Sequence, residues 1–123
     1  MQAVYSALEK LAQSYLDGFY EGDVIKLRSI FLPSAVLNQV VENQVSIISC
    51  GDWLDRVAGR PSPKATGLNR DEQILSIEVL GPTLAVLKVK CSAKPKYFTD
   101  ILSCLKIDGN WFIAQKVFMT ETR

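Results

Sequence analysis

No histidine occurs anywhere in the sequence. That excludes every mechanism resting on imidazole, including Ser-His-Asp and Cys-His nucleophilic systems and histidine-ligated metals. Cys50, Cys91 and Cys104 are odd in number and never spaced Cys-x-x-Cys. They read as buried thiols in a reducing compartment, not as metal ligands or a disulfide framework. The side chains left for chemistry are a few oxygens and cations. Tyr15 lies on the apolar face of a helical pattern, where a hydroxyl needs one partner. Asp100 and Lys116 lie on two strands that read as one hairpin. If both point inward they form an ion pair able to anchor a polar group, and Lys116 then lowers the Asp100 pKa and removes it as a proton donor. The plainer alternative is a structural salt bridge, or a solvated Lys116. Arg56 and Arg60 are four residues apart, close to Trp53. They could rim a site for an anionic or planar ligand. The preferred reading is a solvated helix face bonded to Asp52 or Asp55. The sequence implies no metal and no cofactor.

These groups are carried by elements whose periods are readable. Val4, Leu8, Leu11, Ala12, Tyr15, Leu16 and Phe19 mark one face of a long first helix. Gly22 stops it, and Asp23 caps a shorter helix that turns Val24, Leu27, Ile30 and Phe31 inward until Pro33. The period then becomes two. Residues 35–41 and 44–48 read as strands around the turn Glu42-Asn43. Ser49-Cys50-Gly51-Asp52 resembles a capping box opening a third helix over roughly 52–58, which the Arg60-Pro61-Ser62-Pro63 stretch ends. Four more strands follow, over 73–80, 84–92, 97–107 and 111–120. Ala93-Lys94-Pro95-Lys96 reads as a loop or bulge, and Asp108-Gly109 as a hairpin turn. Helices early and strands late make this α+β. Whether Asp100 and Lys116 share a face depends on that last turn. A strict two-residue turn separates them, and a three-residue turn with a glycine bulge unites them.

Length and charge narrow the partners. The 123 residues fit a single domain spanning 1–123. Fourteen basic and 13 acidic side chains leave a net charge of +1, too little field to favour nucleic acid or an anionic membrane. No apolar run spans a bilayer and the first residues lack signal-peptide character, so the expected location is cytoplasmic.

Three stretches carry a family resemblance: Tyr15-Leu16-Asp17-Gly18-Phe19-Tyr20-Glu21-Gly22-Asp23, Phe31-Leu32-Pro33-Ser34-Ala35-Val36-Leu37, and Lys106-Ile107-Asp108-Gly109-Asn110-Trp111-Phe112-Ile113. With the element order, they resemble the superfamily of nuclear transport factor two, polyketide cyclases and ketosteroid isomerases. The Arg60-Pro61-Ser62-Pro63 loop, Thr99-Asp100 and Lys116-Val117-Phe118 make the chain most similar to its lumazine-binding group. The resemblance implies a cone: a curved antiparallel sheet wrapped against three helices, cystatin-like, with a pocket open at one end. It also matches Tyr15 to the tyrosine donor of ketosteroid isomerases, and brings Asp100 near their second donor, a protonated carboxylic acid. Where those isomerases carry a catalytic carboxylate, this chain has Asn38-Gln39, amides that cannot take a proton.

The expected pocket floor is Tyr15, Asn38, Asp100 and Lys116, with Phe19, Trp53, Val57, Leu102 and Phe118 as apolar wall. A buried Asp100 needs Tyr15 or Lys116 in reach. Three functions then order themselves. The first is a small-molecule-binding module for a hydrophobic or aromatic ligand. The second is an isomerase, dehydratase or cyclase acting on a carbonyl compound, with Tyr15 and Asp100 as its candidate catalytic residues. The third is an interaction module. Alternation in the last three strands leaves a second apolar face, which implies a homodimer.

Overall fold

The computed structural model describes residues 2–123. The first apolar stripe becomes α1 (Gln2–Glu21), which buries Leu8, Leu11, Ala12, Tyr15, Leu16 and Phe19. At Gly22 the backbone turns left-handed, with φ +67°. Asp23 then accepts a hydrogen bond from the Lys26 amide at 3.0 Å and caps α2 (Val24–Ile30). α1 and α2 touch through Gly18, whose absent side chain admits Leu27.

The first strand begins earlier than its alternation suggests. β1 runs Phe31–Val41, with no loop after α2. Phe31 is not the last inward residue of the helix. It is the extended cap (φ −99°, ψ 143°) and already pairs with Ile113. Its ladder breaks between Phe31 and Val36, and Pro33 sits in that gap, where a missing amide costs nothing. β2 (Gln44–Ser49) returns through Glu42 and Asn43, both at positive φ. Ser49 caps α3 (Cys50–Ala58) by accepting from the Asp52 amide at 3.1 Å, so that helix also starts earlier than expected. β3 (Gln73–Val79), β4 (Leu84–Ala93), β5 (Lys96–Ile107) and β6 (Asn110–Thr122) complete the chain. The segment expected to be a loop before β5 is a two-residue turn, because Ala93 still pairs with Lys96.

The α+β reading holds: three helices pack on one curved six-stranded sheet ordered β2-β1-β6-β5-β4-β3. Every neighbouring pair is antiparallel except β1 and β6, which run parallel. No described helix is long and apolar enough to cross a membrane.

The last hairpin takes neither of the two expected forms. Asp108 (φ 50°) and Gly109 (φ 81°) make a two-residue turn, and Ile107 pairs with Asn110. Cys104 still pairs with Ile113, but Ser103 pairs with Gln115. Ala114 is thus the extra residue of a bulge inside β6, and it restores the parity that the tight turn removes. Asp100 and Lys116 consequently share the inner face.

A methyl group at Gly18 would sit 2.8 Å from Leu27 Cγ and Cδ2, and Leu27 is fully buried. Gly18→Ala should therefore lower the urea midpoint, by about 1–3 kcal/mol of stability as for other overpacked sites. An unchanged midpoint would show that the α1–α2 contact is loose.

Candidate functional site

The inner face of the sheet is set by period two outward from the bulge. On β6 it presents Lys116, Phe118 and Thr120, and on β5 their partners Leu102, Asp100 and Phe98. Tyr15 of α1 comes down on this face, and its hydroxyl donates to Asp100 Oδ2 at 2.5 Å. Lys116 Nζ lies 3.8 Å from the same oxygen, too long for a hydrogen bond but within ion-pair range. Cys91 Sγ approaches it at 3.8 Å from β4. Asp100 is completely buried and Lys116 is 3% exposed. Asp100 Oδ1 is buried without a protein partner among the described residues.

Lys116 is held by ring faces as well as by charge. Its ammonium is 4.6 Å from the Phe118 centroid, 4.7 Å from Trp53 and 5.2 Å from Tyr15, all within cation–π range. Burial, followed by the Asp100 carboxylate, holds the Tyr15 phenol well above its ordinary pKa. The same two causes push the Cys91 thiol up, and burial alone pushes Cys104 up to about 12. Both thiols are therefore poor nucleophiles.

Beside this cluster opens a cavity of about 590 Å³. Lys116 stands at its buried end, with Trp53 and Phe19. Leu37, Gln39, Ser46 and Ile48 bring β1 and β2 in as one wall, where Thr120 donates to Gln39 Oε1 at 3.1 Å. Val57, Phe98 and Phe118 add apolar surface, and Arg56, Arg60, Lys94 and Lys96 edge the open end.

Of the residues expected to form the pocket, Phe19, Trp53, Val57, Lys116 and Phe118 line the cavity. Four do not. Tyr15 and Asp100 lie behind the Lys116 end, sealed against each other. Leu102 pairs with Lys116 but is fully buried in the core. Asn38 is on the other face of β1: Leu37 and Gln39 point into the cavity, so the residue between them must point out. Its Nδ2 is buried there without a partner. Arg56 and Arg60, set aside as a solvated pair, edge the cavity, and neither forms an ion pair with Asp52 or Asp55. Their spacing next to Trp53 was the available signal. The part played by β1 and β2 was harder to see, since it follows from the parallel β1–β6 pair.

A family model described as "Putative lumazine-binding" matches residues 3–119. The chain belongs to that family. Its fold is that of the nuclear transport factor two-like superfamily. This lumazine-binding family member is 27% identical over 124 residues to "Aldolase FrzH" of Cladobotryum sp., across 97% of this chain and 93% of the relative. An NTF2-like protein of Silicibacter pomeroyi superposes with a TM-score of 0.86 at 22% identity over 98% of both chains. One from Shewanella baltica gives 0.85 at 23% identity, over 98% of this chain and 96% of that one. A ketosteroid isomerase-like protein of Erwinia carotovora gives 0.73 at 11% identity, over 96% of each. These structures share the fold; they do not assign a reaction.

The raised phenol and thiols fix a sign for pH. Free tyrosine titrates near 10.0 and free cysteine near 9.0. Above those values the unfolded chain gives up protons that folded Tyr15, Cys91 and Cys104 retain, so stability falls as pH rises. The contribution of these three groups should be flat below about pH 8.5 and decline from about pH 9 upward, with Cys104 contributing until about pH 12. Tyr15→Phe should cost about 1–3 kcal/mol at neutral pH and flatten the fall above about pH 10. Urea midpoints across that range check both; an alkaline slope identical in the variant would remove Tyr15 as a cause.

Proposed function

We propose that this chain is one small-molecule-binding domain whose ligand enters the cone and meets Lys116 at its buried end. The observation that carries this is Lys116 itself. A lysine among three aromatic faces, out of water, at the floor of a cavity has ammonium donors to offer a ligand oxygen. The cavity of about 590 Å³ falls inside the roughly 300–1,000 Å³ typical of small-molecule sites. The rings of Trp53, Phe98 and Phe118 suit a planar aromatic or hydrophobic body. The family's description points the same way, toward a flat heteroaromatic compound such as lumazine.

Catalysis is the second reading, favoured by the relative named an aldolase and by the buried, unpartnered oxygen of Asp100. In this reading the chain is an aldolase-, isomerase-, dehydratase- or cyclase-type enzyme. Tyr15 and Asp100 act on a carbonyl compound whose oxygen Lys116 holds, and Asp100 Oδ1 accepts the proton. Against it stands the sealing of Asp100 by Tyr15 and the core.

The test uses Trp111→Phe, which leaves Trp53 as the sole tryptophan. Lumazine and related planar heteroaromatics should quench it saturably, and Val57→Phe, which narrows the cavity, should abolish the effect. Absence of quenching, or quenching indifferent to Val57→Phe, would sink the binding reading. A compound converted as well as bound, with conversion lost in Asp100→Asn while binding persists, would establish the catalytic one.

The domain is also proposed to be a homodimer. Val40, Val45, Ile47, Ile101, Val117 and Met119 lie on the outer face of the sheet and are 41–69% exposed. Asn38, with its unpartnered amide, sits between Ile47 and Val117 in that stripe. A second copy would cover the apolar surface and bring an acceptor to Asn38. Light scattering at micromolar concentration should give twice the chain mass, falling to one chain when Val117 and Met119 are both replaced by Glu. A monomeric wild type would rule the dimer out.

A further inference from the structure

The charge around the cavity is one-sided. Arg56, Arg60, Lys94, Lys96 and Lys116 line it, and no described Asp or Glu does. Yet the chain as a whole has nearly as many acids as bases, 13 against 14. The segregation is therefore local to this opening and not a reflection of net charge. Lys116 has Asp100 beside it, so the floor is electrically balanced. The four exposed cations are not balanced. No described carboxylate forms an ion pair with any of them; the remaining ion pairs involve Lys26, Arg70, Lys88 and Arg123.

These cations come from two separate parts of the fold. Arg56 lies in the last turn of α3 and Arg60 just beyond the helix, while Lys94 and Lys96 flank Pro95 at the turn between β4 and β5. Both edges lie over Trp53, Val57, Phe98 and Phe118. Partial desolvation, then the nearby Arg56 guanidinium, lowers the Arg60 pKa. Two like charges held together over an apolar cavity, with no acid supplied by the fold, are relieved by an anion from outside.

We propose that the ligand of this cavity is an amphiphilic organic anion, its apolar body in the cone and its oxyanion head held at the mouth by Arg56 and Arg60. This deepens, and rests on, the reading of the cone as a binding site. Arginines suit the contact because a planar guanidinium meets a carboxylate, sulfonate or phosphate with two parallel donors. Lys94 and Lys96 contribute field across the opening and draw the anion in. The body then extends past Trp53 and Phe118, and a polar atom at its far end meets Lys116.

The test compares two fluorescent probes with the same aromatic body: anilinonaphthalene sulfonate, which carries an anion, and the neutral phenylnaphthylamine. Both should bind the full-length protein, the sulfonate more tightly by about tenfold, the scale of one charge-assisted contact. The Arg56→Gln/Arg60→Gln double variant should remove most of that difference, leaving only the field of Lys94 and Lys96, while the affinity for the neutral probe is unchanged, which also reports that the variant is folded. Added salt should weaken the sulfonate alone. Equal affinities in the wild type, or a difference undiminished in the double variant, would overturn the proposal and leave the binding reading standing. Binding of neither probe would overturn both.

Discussion

A carboxylate withdrawn from water must be compensated where it sits, and Asp100 is wholly withdrawn. Much of the fold's interior geometry meets that requirement. α1 has to place Tyr15 within hydrogen-bonding distance, and β6 has to turn Lys116 to the same side. The aromatic residues around Lys116 then offset the loss of its own hydration. Helix, sheet and core are thereby coupled through a few polar atoms. Removing one partner would leave the others as uncompensated buried charge, a far larger loss than the contact's own modest contribution. Whether such a cluster serves chemistry or only the register of the fold depends on access. Here the access is to Lys116, and Asp100 lies behind it.

The division of labour around the cone follows from that arrangement. The floor is nearly neutral and caged, while the mouth is cationic and wet. An apolar wall between the two keeps the charges apart, so each acts on a different part of whatever enters. The wall is drawn from α1, α3 and five of the six strands, which explains why a chain this short can enclose a cavity at all: the curved sheet supplies concavity that helices alone would have to build with more residues.

The elements were legible because each obeys one period. The stripe from Val4 to Phe19, the cap at Ser49 and the turn at Asp108-Gly109 are all local signals, and the family resemblance assembled them correctly. The site was legible in part. Tyr15, Asp100 and Lys116 do meet, and Trp53, Val57 and Phe118 do face the cavity. Failures arose where the outcome depends on a non-local count. Asn38 was assigned inward from its place in the resemblance, but packing of Leu37 in the core settles the parity of β1 and turns Asn38 out. Leu102 has the right parity and lies too deep. Arg56 and Arg60 looked like an ordinary solvated helix face, because the sequence alone does not reveal that the face overlooks a cavity.

Ala114 has a wider consequence. Strand parity is binary, and the looping of Ala114 out of the ladder is what assigns Lys116 to the interior and Val117 to the exterior. Were Ala114 drawn into the ladder opposite Ser103, every partner beyond it would slip by one, setting Lys116 outside with Ile101 and the branched hydrocarbon of Val117 against the buried carboxylate of Asp100. Losing Ala114 altogether would instead leave a regular ladder with the same two faces, so what this strand cannot tolerate is not a shorter chain but a straightened bulge.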